Sequence, residues 1–444
     1  MPSRTLLRRL LGVALLLPVA SLSPAVVAAA ADERTVDYQG LRLALPADWR
    51  VIDLDRHPEA CLRLDVPTLY LGHAGTQSEC TGRAAATRAD TLHLEPIAGA
   101  PPRADIPTLA VDGGRALPPT EGDSNEVRYA LRRTGVMATL SYGAAPDTVR
   151  ALLARAVADA RTRAGADAGA GGAAVRSWPA APVATAAPAA VHAPRSAQEA
   201  FTGEGFDACT APTQRSMDSW RAGSPFRAVG VYIGGRARAC AQPQLTAAWV
   251  RRQAAAGWHL MPIWVGPQPW HSKSTGLSTD PSRANEQGRA AADGAVDAAR
   301  SLGLPEGTVL YNDLENYSDR ATWDAPSVAY LTAWTVRLHE RGFRSGAYVA
   351  ASSGVKALSA HYHQAPQAMP DVLWGAQWNG AASVSDKDMG LSGRTPQWVG
   401  PRRAHQFRGD HDASYGGVTL NIDRNWLDVD PAALGPVGGL PALS

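Results

Sequence analysis

From Phe201 onward the chain alternates short apolar runs with helical patterns, and this alternation limits the available folds more than any other feature. The runs that read as strands are Gly205–Ala208, Ala228–Gly234, His259–Gly266, Thr308–Glu315, Ser345–Ala351, Val372–Trp378, Ala404–Phe407 and Leu420–Asn425. Between them, apolar residues at helical spacing mark Leu245–Ala256, Arg283–Leu302 and Ser327–Arg341. Strands alternating with helices imply parallel pairing, because a parallel neighbour is reached only through a crossover. Eight such strands over residues 199–435 fit an α/β fold of the (β/α)8 TIM-barrel type, whose usual size is about 250 residues. A doubly wound open sheet is the competing arrangement. No Gly-rich phosphate loop follows any strand, which counts against a nucleotide-binding version of it.

The remaining sequence is organised around this barrel. Arg4, Arg8 and Arg9 precede an apolar run, Leu10–Ala20, and then the small residues Ala29-Ala30-Ala31. That pattern is an export signal over residues 1–31, too short to span a bilayer. The Arg8-Arg9 pair permits a twin-arginine route, but the residues after it fit the general route better. A secreted protein follows, extracellular or associated with the cell envelope, without stable membrane insertion after cleavage. Residues 32–163 read as a small α+β accessory domain. Its strands are Val36–Leu45, Leu69–Leu71 and Val136–Tyr142, and Pro146-Asp147 opens a helix. Residues 164–198 are nearly all Ala, Gly and Pro and read as a semi-extended linker, and 436–444 form a tail. The four cysteines suit an oxidising compartment. Three pairings are possible. The local one, Cys61 with Cys80 and Cys209 with Cys240, keeps each disulfide within one domain. Net charge is +2, so no strong field draws the chain to nucleic acid.

Active groups of a TIM barrel lie at the C-terminal strand ends. The fourth strand ends Tyr311-Asn312-Asp313-Leu314-Glu315. Side chains alternate along a strand, so Asp313 and Glu315 share a face. Paired carboxylates repel, which keeps one of them protonated and able to act as an acid on a glycosidic oxygen. The plain alternative is a solvated acidic strand end. Most of the 13 tryptophans lie in the barrel region, and Trp264, Trp270, Trp374 and Trp378 fall near strand ends, where flat rings can stack on sugars. Core packing is the alternative role for such residues. The segment Gly409-Asp410-His411-Asp412 reads as a solvated loop; no metal site or cofactor is expected.

In order along the chain, Gly205-Phe206-Asp207, Tyr232-Ile233-Gly234-Gly235, Asn312-Asp313-Leu314-Glu315, Gly346-Ala347-Tyr348, Trp374-Gly375-Ala376-Gln377-Trp378 and Asn421-Ile422-Asp423 resemble a family of secreted glycoside-hydrolase-like barrels common in actinobacteria. That family is similar in turn to the family 25 glycoside hydrolases, the lysozyme-type muramidases. The resemblance implies Glu315 as catalytic acid and Asp313 as the carboxylate that supports it. Asp207 and Asp423 would line the pocket and Tyr348 would sit in it. Tyr232, Gln377, Trp378, Trp264, Trp270 and Gln406 complete the expected substrate-binding set. The function implied is hydrolysis of a β-linked glycan, of the cell-wall peptidoglycan class, with no cofactor. Two rivals remain: a non-catalytic glycan-binding barrel, and a hydrolase for another bond such as a phosphodiester.

Overall fold

The computed structural model describes residues 33–434, except 79, 82–87, 101–102, 104–105, 107, 112–116, 119–124, 144–145, 171–198, 271–275 and 392–395. The export signal, the greater part of the expected linker and the tail lie outside the described residues. The first strands, β1 (Glu33–Tyr38) and β2 (Leu41–Pro46), form an antiparallel pair. A single strand over Val36–Leu45 was the sequence expectation. Instead the chain reverses at Gln39-Gly40, both at positive φ (44° and 81°), as a two-residue hairpin turn requires. Then come β3 (Arg50–Asp53), β4 (Thr68–Leu71), β5 (Thr91–Pro96), β6 (Thr108–Val111), β7 (Glu126–Leu131) and β8 (Val136–Ser141). They form one sheet in the order β3-β4-β5-β8-β7-β6. Helix α1 (Asp147–Ala170) buries Val149, Leu152, Leu153 and Ala156 in one cluster with Leu41, Leu43 and Leu45 of β2. It runs to Ala170, so it enters the segment expected as linker.

The second unit is an eight-stranded closed barrel. Its elements are β9 (Phe201–Asp207), α2 (Gln214–Gly223), β10 (Ala228–Gly234), α3 (Ala247–Ala255), β11 (His259–Val265), α4 (Pro281–Ser301), β12 (Val309–Leu314), α5 (Arg320–Glu340), β13 (Arg344–Ala350), α6 (Gly354–His361), β14 (Val372–Ala376), β15 (Arg402–Tyr415) and β16 (Val418–Val429). Helix starts are set locally. Thr213, Thr246, Asp280 and Asp319 each accept a backbone N–H of the first turn, and Pro281 follows its cap at the position where a missing N–H costs nothing.

The barrel departs from the regular (β/α)8 expectation. Among the described residues, helices α2 to α6 follow only the first five strands, and β16 runs antiparallel to both β15 and β9. The cause is the Gly416-Gly417 turn, at φ 58° and 75°, which returns the chain at once and leaves no residues for a crossover. Strands β15 and β16 extend well beyond the runs read from sequence, and Gly409–Asp412 is part of β15 rather than a loop. Inside the barrel, Val309, Tyr311, Met261, Ile263, Val372 and Trp374 pack together. The outer faces of the strands, including Phe206, Leu310, Leu314 and Leu373, pack beneath the helices.

The two units touch directly. Leu64 N–H donates to Ala239 O and Ala241 N–H to Leu62 O, each at 3.0 Å, and Arg63 and Cys240 form an antiparallel bridge. Leu54, Leu62, Leu64 and Tyr70 pack against Ala241. Both disulfides join the expected local partners and lie in one cluster across this contact. No described helix is long and apolar enough to cross a membrane.

Candidate active site

Strand parity and register assemble an acidic mouth. On β12, Tyr311 and Asp313 face inward. Asn312 faces out, where its Nδ2 donates to the Tyr330 hydroxyl of α5 at 2.9 Å, and Leu314 joins the helix-facing core. Register sets Asp313 between Val265 of β11 and Tyr348 of β13, and Asp423 of β16 opposite Asp207 of β9. Glu315 follows the last strand residue and is half-buried. Gln268 braces this strand end: its Nε2 donates to Asp313 O at 2.8 Å, and its Oε1 accepts Glu315 N–H at 2.9 Å. One side chain thus continues the pairing past the end of β11 and holds the backbone between the two acids.

Two amide side chains distribute hydrogen bonds among the acids. Asp207 accepts from the Tyr232 hydroxyl (3.2 Å), Gln406 Nε2 (3.2 Å) and Asn425 Nδ2 (2.8 Å). Gln406 Nε2 also reaches Asp423 Oδ2 at 3.3 Å. Its Oε1 accepts from the Tyr348 hydroxyl and Trp378 Nε1, both at 2.9 Å. Trp374 Nε1 fixes the orientation of Asn425 at 2.9 Å. The backbone N–H of Asp410, a residue at φ 49°, donates to Asp423 Oδ1.

Burial raises the Asp207 carboxyl to about 6 against the lowering effect of its three hydrogen bonds. Asp313 is pushed well above the usual carboxylate range, first by burial and then by repulsion from Glu315, Asp207 and Asp423. Its Oδ1 is buried with no hydrogen-bond partner. The Tyr232 and Tyr348 phenols are raised further by burial and by the same acids, so both remain neutral donors. Burial and its acidic neighbours thus hold Asp313 toward its neutral form at the barrel mouth.

Of the residues expected from sequence, Asp207, Tyr232, Asp313, Tyr348, Gln406, Asp423 and Trp378 are brought together, with Glu315 beside Asp313. Trp378 is 49% exposed and lies against Gly409, where an added Cβ would stand 2.0 Å from its ring. Two expected residues lie elsewhere. Trp264 is buried on the helix-facing side against Gly234 and Gly294, because it alternates with the inward Ile263 and Val265. Gln377 occupies the opposite parity to Trp378, with its Oε1 turned toward Gly390. Trp270 is 41% exposed in the segment after β11.

Gln268 and Asn425 are parts of the site outside the expected substrate-binding set, and Trp374, read from sequence as a ring for stacking, is buried and serves by orienting Asn425. Asn425 was legible in principle, since it stands two residues after Asp423 on the same face. Gln268 lies beyond a strand end, where no periodicity applies. Among the described residues, no group of three or more His, Cys, Asp or Glu is placed to hold a metal ion.

The barrel is closed, and acids, amides and aromatics gather at one end of it. Residues 218–427 match the family model described as Rv2525c-like, glycoside hydrolase-like domain. Solved structures similar to the barrel include an uncharacterized B. stearothermophilus protein, 20% identical over 51% of this chain and 95% of that one, with a TM-score of 0.36. The Tat-secreted protein Rv2525c of Mycobacterium tuberculosis, solved with L-tartrate, is 14% identical over 51% and 96%, with a TM-score of 0.35. The modular autolysin LytC of Streptococcus pneumoniae, solved with a synthetic peptidoglycan ligand, is 11% identical over 51% and 46%, with a TM-score of 0.33. No curated protein matches the sequence.

Proposed function

We propose that this chain is a secreted glycoside hydrolase that cleaves a β-linked glycan with Glu315 and Asp313. The observation that carries the reading is Asp313 itself, a buried carboxyl beside a second acid with one oxygen unpartnered at the barrel mouth. Burying such a group costs free energy and adds nothing to packing, so it calls for a role with a ligand. Glu315, half-buried and nearer solvent, protonates the glycosidic oxygen. Asp313, held toward its neutral form by burial, is suited to hydrogen-bond and orient a substrate N-acetyl group, in the substrate-assisted variant of glycoside cleavage. Trp378 offers one exposed ring face for a sugar, and the amides of Gln406 and Asn425 hold the pocket acids.

The sequence likeness to lysozyme-type muramidases makes peptidoglycan the first substrate to test. Reducing-end release from peptidoglycan and soluble β-glycans is expected for the wild type. Glu315→Gln should lose it by at least a hundredfold, the usual contribution of general acid catalysis, while keeping its fold and glycan affinity. Full activity in Glu315→Gln would remove Glu315 from the chemistry. Glycan binding without release by either protein would favour a binding barrel.

A further inference from the structure

The contact between the two units reaches the site by a continuous chain of bonds. Arg88 of the N-terminal unit and Arg238 of the barrel converge on Glu126 of β7. Arg88 Nη2 stands 3.1 Å from Glu126 Oε2, Arg238 Nη2 bonds the same oxygen, and none of the three side chains is more than 4% exposed. Arg88 is oriented by Ser141 of β8 (2.9 Å to Oγ), and its Nη1 lies 3.3 Å from the carbonyls of Gly235 and Arg236. Arg238 turns its other nitrogen the opposite way, and Nη1 donates to the Tyr232 carbonyl at 3.1 Å.

That carbonyl sits where β10 breaks register with β11, between Tyr232 and Gly234. The chain then turns sharply. Gly235 is at φ 101°, and a Cβ there would meet Val265 O at 2.1 Å, so only glycine fits. The end of β10 is thus an irregular strand terminus whose shape depends on what grips it. Tyr232, on that terminus, donates its hydroxyl to Asp207.

We infer that the N-terminal unit is a working part of the barrel's site: Glu126, acting through Arg238, positions Tyr232 and so maintains the Tyr232–Asp207 hydrogen bond. A buried ionic group adds little net stability once desolvation is counted, and its best-attested use is to specify one geometry. Here the geometry specified is the strand end that carries a pocket tyrosine. Glu126 and Arg238 are therefore positioning residues, and the N-terminal unit is more than an appended module. The inference requires that Asp207 belong to the proposed site, but not that the chain turn over any substrate.

The test reads Asp207 directly, by carbon NMR titration of its carboxyl in the full chain. The groups facing Asp207 are Tyr232 of β10, Asp313 of β12, Gln406 of β15, and Asp423 and Asn425 of β16. The Tyr232 bond lowers the Asp207 midpoint, so its loss should raise that midpoint above about 6. Tyr232→Phe sets the size of the upward shift. The double variant Glu126→Gln with Arg238→Met, which replaces the Glu126–Arg238 pair by neutral groups of similar length and leaves Arg88 on Ser141 and the Gly235 and Arg236 carbonyls, is expected to reproduce it, and adding Tyr232→Phe should shift it no further.

Should the double variant fail to fold, Arg238→Lys serves instead. A single ammonium can pair with Glu126 but cannot also reach the Tyr232 carbonyl, so the same upward shift is expected. Leu64→Ala loosens the same contact away from this chain of bonds and should lower the melting temperature without moving the midpoint. A folded double variant or Arg238→Lys with the wild-type midpoint, or an equal shift in Leu64→Ala, would overturn the inference.

Discussion

Asp207 shows how a single side chain can be costly and still be held in place. Burial raises its carboxyl to about 6, from an ordinary value of 3.8. Between those two values the folded state binds more protons than the unfolded state, so stability falls as pH rises through that window. A shift of this size corresponds to a penalty on the order of 3 kcal/mol, present in full above about pH 6. Asn at this position carries no such penalty. Its oxygen can accept from Gln406 and Asn425, while its amide faces the Tyr232 hydroxyl. Asp207→Asn should therefore melt higher than wild type at pH 7, with the difference shrinking toward pH 4. A pH-independent difference in thermal melts would show that desolvation of Asp207 is not what sets it.

Among the elements, the β15–β16 hairpin contributes most to the site. It carries Gln406, Asp423 and Asn425, and its pairing slips between Arg408 and His411. A bulge next to a site re-aims what lies beside it, and here it turns the Asp410 N–H onto Asp423 and lays Gly409 under Trp378. Gly409→Ala should push the Trp378 ring off its seat. Loss of a well-seated aromatic contact is worth about 0.5–1.5 kcal/mol, so glycan affinity is expected to drop by roughly two- to tenfold in calorimetric titration. Unchanged affinity would mean that Trp378 is not a sugar platform.

In the N-terminal sheet, Glu95 of β5 and Arg128 of β7 meet at 2.9 Å across the intervening β8, both buried. Glu95→Gln takes the carboxylate away from a buried guanidinium. It should cost about 3–5 kcal/mol in urea denaturation, and a cost below 1 kcal/mol would contradict that burial.

At the scale of the whole molecule, the contact between the units decides how the chain behaves. Backbone bonds, an apolar cluster and a buried ionic group cross it, and Asn421 N–H of the hairpin donates to Ser78 O at 3.2 Å. Two units coupled this way should unfold together, as one calorimetric transition. A fragment of residues 199–435 would expose Ala239, Ala241 and Arg238, all buried in the whole chain. It should be less stable than the full chain, and an unchanged barrel melting temperature in that fragment would contradict the coupling.

The order of strands and helices in the barrel, the inward face of Asp313, and the two local disulfides were legible in the sequence, because each rests on spacing over a few residues. The hairpin signal Gly416-Gly417 was equally local and passed unread, and with it went the antiparallel final strand. Other features have no local signature. Asp207 is held by Asn425 and Gln406, 218 and 199 residues away, and nothing in the spacing of either announces the partner. Which tryptophan faces the mouth, Trp378 rather than Trp264, depends on strand register. The grip of Glu126 on Arg238 spans 112 residues between two separately patterned regions. Local periodicity chose the elements and their inward faces. Closure of the barrel and docking of the N-terminal unit chose the partners, because a hydrogen bond between distant residues is determined only once the chain has brought them together.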